Sequence, residues 1–218
     1  MHDTMKLRCK AFLFDLDGVL VDSRAVVERT WRRWALRHRV DPDRLFPIAH
    51  GIRTRDALEA VVPDLATDAE VAWLDAAELA DIDGLRAVRG AKQLLSSLPA
   101  ERWGIVTSCG RSLAQRRLGA VGMPLPEALV VAEDVKAGKP APDGYRLGAS
   151  RLGFEPASCV VFEDAPAGVA AGRAAGASVV AITTTHSPRQ LQDADAMIAD
   201  FTKLRVDRDS GGFVVEVP

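Results

Sequence analysis

Short apolar runs alternate with longer stretches of helical period along most of this chain. Residues 11–14, 103–106, 128–131, 159–162 and 179–182 are rich in Val, Ile, Ala and Phe, and each run predicts a buried strand. Between them, apolar residues recur at helical spacing over 91–98, 112–121, 144–152 and 167–174. Strands that alternate with helices over short loops predict an α/β fold, a doubly wound parallel sheet of Rossmann-like type covered on both faces.

The alternation stops between about residues 23 and 85, where periodic segments at 26–36, 55–61 and 69–79 follow one another without a strand. This predicts an inserted α-helical cap at 21–87 on an α/β core formed by 1–20 and 88–218. Thr67 and Glu70 have the spacing of a capping box at the start of the third helix. Trp31, Trp34 and Trp73 are read as packing residues of the insert, not as ligand-stacking ones. An insert after the first strand places a lid above the carboxyl ends of the strands, the edge where open α/β sheets bind ligands. Near the C-terminus, 211–217 predicts a short strand entered through a turn at Ser210, Gly211 and Gly212.

Composition narrows the function classes. With 48% hydrophobic and 27% charged residues, the 218-residue chain has the balance of a folded globular protein. A net charge of −2 gives no basic field for phosphate backbones, so no nucleic-acid partner is expected. No apolar run is long enough to span a bilayer, and Asp15 and Asp17 interrupt the N-terminal stretch before it could serve as a signal peptide. Cys9, Cys109 and Cys159 are odd in number and far apart, which suits a reducing, cytoplasmic setting.

The sharpest chemical signal is Phe12-Leu13-Phe14-Asp15-Leu16-Asp17-Gly18-Val19, an apolar strand running into two carboxylates spaced i, i+2. In extended chain that spacing points both side chains to one side. Two unit charges about 4 Å apart repel by about 4 kcal/mol at an effective dielectric of about 20, which calls for a bound cation or a shared proton. Other strand ends add complementary groups. The run 103–106 ends in Thr107 and Ser108, able to donate to a phosphate oxygen. Lys139 stands as a lone cation in the rigid turn Gly138-Lys139-Pro140-Ala141-Pro142-Asp143, and 159–162 ends in Glu163-Asp164, candidate ligands for a hard metal. Other phosphate chemistries fail on register: the residue six after Cys109 is Gln115, not the Arg of a cysteine phosphatase, and Pro140 replaces the Ser or Thr of a P-loop.

Taken in order, FLFDLDGVLVDS, the strand ending in Thr107, GKPAPD and VVFEDAPAG resemble the four motifs of the haloacid dehalogenase superfamily phosphohydrolases, and the insert resembles the cap of its small-cap branch. The segment from Ala49 to Ala57 and EDAPAGVAAGRAAG are further similar to bacterial sugar (hexitol) phosphatases and to fungal glycerol-phosphate and 2-deoxyglucose-6-phosphate phosphatases. The resemblance implies a Mg²⁺-dependent phosphatase for a small phosphorylated sugar, polyol or glycerol, acting as a monomer or homodimer.

In that mechanism Asp15 is the nucleophile that forms an aspartyl phosphate, and Asp17 protonates the leaving alkoxide and then activates water. Thr107, Ser108 and Lys139 hold the phosphoryl group, while Asp15, the Asp17 carbonyl and Asp164 hold Mg²⁺ with Glu163 behind them. His50 and Arg53 are expected over the leaving group, with Arg55 a weaker candidate. Val19 after Asp17-Gly18 resembles β-phosphoglucomutases and keeps a sugar phosphomutase as an alternative; Val27, His50 and Thr54 depart from the mutase cap pattern. A catalytically silent binding protein of the same fold is a second alternative.

Overall fold

The computed structural model describes residues 4–46 and 50–218; Ala49, one end of the motif read above, lies outside them. The strands are β1 (Met5–Cys9), β2 (Ala11–Phe14), β3 (Val21–Asp22), β4 (Arg86–Ala87), β5 (Trp103–Val106), β6 (Ala128–Val130), β7 (Cys159–Glu163), β8 (Ser178–Ile182), β9 (Ala196–Ile198), β10 (Arg205–Asp209) and β11 (Gly212–Val217). The α-helices placed among the described residues are α1 (Arg24–His38), α2 (Thr54–Val61), α3 (Asp68–Ala80), α4 (Ala91–Ser97), α5 (Arg111–Ala120), α6 (Asp143–Arg151) and α7 (Pro166–Ala175). Six strands pair in the order β6-β5-β2-β7-β8-β9, all parallel. This is the doubly wound α/β sheet that the apolar runs predict.

Alternation along β2 divides the core. Phe12 and Phe14 face a layer with Trp103, Ile105 and Phe162, and Leu13 faces the opposite layer with Val106, Tyr145 and Val161. Phe14 and Phe162 stack with ring centroids 5.0 Å apart, fixing the two central strands whose next residues carry the site's carboxylates. A third apolar cluster lies within the helical segment, where Trp31, Trp34, Leu58 and Leu74 are all fully buried. The indole N–H groups of the two tryptophans need acceptors there. Trp34 donates to Glu70 at 2.7 Å, and His38 reaches the same carboxylate at 2.9 Å. That explains a departure from the expected capping box: Thr67 accepts from the Glu70 amide at 3.3 Å, but the Glu70 side chain turns to Trp34 and His38.

Several strands escape the apolar-run criterion. β1, β11 and β10 form a separate antiparallel sheet in that order, and of these only β11 is expected from the sequence. β1 alternates apolar with charged residues, β10 is charged at every position but Val206, and both are largely exposed, so their register comes from β11. The two-residue strands β3 and β4 pair antiparallel, Val21 with Ala87 and Asp22 with Arg86, holding side by side the two chain segments that join the sheet to α1–α3. Among the described residues, no helix is long and apolar enough to cross a membrane.

Candidate active site

The carboxyl ends of β2, β5 and β7, adjacent in the sheet, converge on one cluster of buried charge. Lys139, in the turn before α6, donates to Asp15 Oδ1 and to Glu163 Oε1, both at 2.6 Å, and to the Val106 carbonyl at 3.1 Å. Its three ammonium protons therefore each have an acceptor, and one comes from each of the three strand ends. Burial opposes the lysine's charge, but Asp15 and Glu163 outweigh it and carry the ammonium above its ordinary range. Lys139 is a cation at neutral pH.

Glu163 is saturated by protein donors. Its Oε1 also accepts from the buried Tyr145 hydroxyl at 2.6 Å, and its Oε2 accepts the backbone N–H groups of Asp164 at 3.0 Å and Ala165 at 3.4 Å. A Cβ on Gly168, on the first turn of α7, would lie 1.8 Å from Glu163 Oε1, so only glycine lets the helix come this close. The neighbouring carboxylates are less well served. Burial, reinforced by Glu163 and Asp17, pushes the Asp15 carboxyl up to about 7 in spite of Lys139. Burial and the charges of Glu163 and Asp15 also push Asp164 well above the usual carboxylate range.

Asp164 accepts from the Thr185 hydroxyl through Oδ2, but its Oδ1 is buried with no hydrogen-bond partner. Carboxylate oxygens of Asp15, Glu163 and Asp164 lie within 4.8 Å of one another. An orphaned carboxylate oxygen beside a second under-compensated aspartate is the donor set a hard divalent cation requires. Gly18 leaves room for this arrangement: its φ is +76°, and a Cβ there would stand 1.9 Å from Asp164 Oδ2.

Asp17 turns to different partners. Ser23 donates to its Oδ1 and Arg117, on α5, to its Oδ2, both at 2.6 Å. The other terminal nitrogen of Arg117 reaches Glu78 Oε2, on α3, at 2.5 Å. Asp15, Asp17, Thr107 and Ser108 line a cleft closed from the helical side by Val27, Trp31, His50, Ile52 and Glu78. The cleft holds about 50 Å³ for water centres, room for a few waters and too little for a sugar phosphate. This is a closed arrangement.

The remaining candidates separate into two groups. The Thr107 hydroxyl accepts from the Cys109 amide at 3.2 Å at the cleft wall, and the Ser108 hydroxyl donates across the cleft to the Gly51 carbonyl at 3.0 Å. His50 lines the cleft too; burial, with His186 nearby, lowers it to about 4, so it is neutral at pH 7. Arg53 does not join them. Its guanidinium is taken by Asp56 at 2.7 and 3.0 Å and by the Lys136 carbonyl at 3.1 Å, at the seam beside the cleft. Arg55 is further away, held by Asp68 and by the Ala66 carbonyl at 3.0 Å.

Sequence reasoning passed over Arg117, Glu78, Tyr145 and Thr185. Thr185 had a usable signal, since the polar run Thr183-Thr184-Thr185-His186 ends the apolar strand β8 as the other motifs end theirs. Arg117 and Tyr145 sit inside helices, where nothing in the local pattern sets them apart.

Comparison with known proteins gives a consistent result. Residues 9–176 match the family described as haloacid dehalogenase-like hydrolase. The chain is 41% identical to Hexitol phosphatase A of Escherichia coli (strain K12), over 96% of this chain and 99% of that protein. It is 34% identical to Glycerol-1-phosphate phosphohydrolase 2 of Saccharomyces cerevisiae, over 97% and 89% of the respective chains. A hydrolase from Pseudomonas syringae superposes with a TM-score of 0.76 at 25% identity, covering 87% of this chain and 92% of the other.

Proposed function

This chain belongs to the haloacid dehalogenase-like hydrolases and is a phosphoric monoester hydrolase, and we propose that it hydrolyses a small monophosphorylated polyol or sugar with Mg²⁺ through an aspartyl phosphate on Asp15. The observation that carries this reading is the single buried ammonium of Lys139 shared by Asp15 and Glu163, with the partnerless Asp164 oxygen beside them.

Asp15 attacks phosphorus, and Lys139 holds its carboxylate and offsets negative charge gathering on the phosphoryl oxygens. Thr107 stands at the cleft wall as a phosphoryl donor, and Ser108 joins it when its bond to Gly51 is released. Asp17 gives its proton to the leaving alkoxide and takes one from the water that cleaves the acyl phosphate. Asp15, Asp164 and the Asp17 carbonyl would hold Mg²⁺, which when bound neutralises phosphoryl and carboxylate charge. Glu163, with both oxygens occupied, orients Lys139 and the start of α7 instead of ligating. Opening of the helical segment at 21–87, the proposed cap on a core of 1–20 and 88–218, admits substrate to the closed cleft.

Charge on the cap side favours hydrolysis over the mutase alternative. A mutase must grip a second phosphate, yet among the described residues the cleft's cap wall offers Glu78 and a neutral His50, and Arg117 is committed to two carboxylates. Residues 47–49 are Pro, Ile and Ala and carry no charge. The leaving group that suits this wall is an uncharged polyol. Three free cysteines support a cytoplasmic setting.

Phosphate release should be measured with Mg²⁺ across polyol, sugar and glycerol phosphates. The expected result is selective turnover that Asp15→Asn abolishes. Uniformly low release across the panel would defeat the substrate assignment, and Mg²⁺-dependent conversion of a hexose 1-phosphate to its 6-phosphate would restore the mutase.

A further inference from the structure

Arg117 is the least accounted-for charge in the molecule. Its side chain is 3% exposed, yet it faces two carboxylates from different parts of the fold: Asp17 at 2.6 Å, beside the reaction centre, and Glu78 at 2.5 Å, on α3 of the helical segment. Burial opposes its charge, but Asp17 and Glu78 overcome this and raise it above even its ordinary range. Burying a guanidinium and two carboxylates stabilises a fold little, if at all, relative to an apolar cluster of equal volume. A plain fastening between helical segment and sheet would need Arg117 and Glu78 alone.

The third member carries the meaning. Arginine's planar fork fixes the angle between the groups on its two terminal nitrogens, so the place of Glu78 sets the direction from which Asp17 is held. Glu78 is itself oriented by the Trp31 indole, which donates to its Oε1 at 3.2 Å within the apolar cluster of the helical segment. Ser23, just before α1, holds the other oxygen of Asp17 at 2.6 Å. Both donors on Asp17 are thus tied to the insert, one through Glu78 and one through the chain entering α1.

We infer that Arg117 is a positioning residue that, when docked on Glu78, aims the Asp17 carboxyl at the leaving oxygen. The inference rests on the proposed acid–base role of Asp17. In the first half-reaction the Asp15–phosphorus bond forms, the phosphorus–alkoxide bond breaks, and the Asp17 proton passes to the departing oxygen. In the second, water oxygen bonds to phosphorus, the Asp15–phosphorus bond breaks, and the water proton returns to Asp17. A helical segment swung away from the sheet removes Glu78 and leaves Arg117 without its second anchor, so Asp17 is aimed only in the closed state.

Two substrates separate this role from a structural one. An alkoxide needs Asp17's proton to leave; p-nitrophenolate does not. With Mg²⁺ present, Arg117→Met should lower kcat on glycerol phosphate by about 100-fold or more, within the usual range of general acid–base assistance, with KM changed by less than about threefold. In rapid mixing with p-nitrophenyl phosphate, one equivalent of p-nitrophenolate should still be released at close to the unaltered rate, followed by slowed turnover. Arg117→Lys, which can address only one carboxylate at a time, should restore little. Equal slowing of both substrates in the first turnover, or a raised KM with kcat intact, would overturn the inference. Should Arg117→Met fail to fold, Glu78→Gln carries the same contrast: an intact p-nitrophenolate burst with glycerol-phosphate kcat down about tenfold supports it. Unchanged kcat in Glu78→Gln overturns the coupling to the helical segment. Absence of turnover by the unaltered protein on both substrates would instead strike the underlying functional reading.

Discussion

The sheet wall and the helical wall of the cleft are built by opposite rules. On the sheet side, Asp15, Lys139, Glu163 and Asp164 are all at most 7% exposed and bonded to one another or to strand-end backbone. On the helical side, Val27, Trp31 and Ile52 present apolar surface, relieved by Glu78 and a neutral His50. Groups that must hold a reacting phosphorus gain from fixed placement on strand ends, where backbone pairing leaves them little freedom. On the proposed function, a wall that receives a polyol needs shape and a few acceptors and can sit on a movable segment. The contrast teaches how chemistry and selectivity would be kept apart.

Lys139→Met would break this division most severely. It leaves the buried carboxylates of Asp15 and Glu163 without the cation they share, and losing one member of a buried ion pair costs about 3–5 kcal/mol. Denaturant unfolding should show that loss, and phosphate release should fall to background. A variant of near-normal stability would mean the sheet wall is less tightly coupled than its distances imply.

Next in size is the pH dependence of the metal-free protein. Asp15 is raised from an ordinary 3.8 to about 7, so its contribution to stability is complete below pH 4 and is lost as pH climbs through about 7. Asp164 is shifted in the same direction. Unfolding free energy without divalent cation should therefore decline between about pH 4 and 7 by up to about 4 kcal/mol, the value of a three-unit shift. Mg²⁺ should flatten that slope, as should Asp15→Asn. A slope that survives in Asp15→Asn would assign it elsewhere.

Arg53→Ala should do least. The Arg53–Asp56 pair is partly solvated, a class worth about 0–1 kcal/mol, and the guanidinium points at the seam instead of the cleft. Turnover should change by less than about threefold, read by steady-state kinetics; a hundredfold loss would put Arg53 back over the leaving group.

The legible part of the molecule was the part governed by local pattern. The strands buried on both faces were readable because such strands are continuous apolar runs; their carboxyl ends flagged Asp15, Thr107 and Asp164, and the proline-bounded turn flagged Lys139, as groups able to meet. β1 and β10 were not readable, since six of their ten residues are charged and their partner β11 lies far away in sequence from β1. Arg53 and Arg117 show the same limit at the site. Arg53 lies in a segment that marks it for the leaving group and Arg117 in a helix that marks it for nothing, and only tertiary placement sends the one to Asp56 and the other to Asp17. Asp15 and Asp17 illustrate it more finely: their spacing announces a shared site, but which partner each carboxylate faces is decided by Lys139 and Arg117, 124 and 100 residues away.

The ribbon of β3 and β4 has a mechanical consequence. Two tethers pinned by the pairings of Val21 with Ala87 and Asp22 with Arg86 resist twisting about their long axis, because torsion would shear both bridges, whereas flexing across the ribbon leaves them whole. The opening proposed for the helical segment would thereby run as a swing across the ribbon, and each return would lay Glu78 against the same guanidinium. Disrupting the β3–β4 pairing would remove that guidance while leaving the segment's own apolar cluster intact.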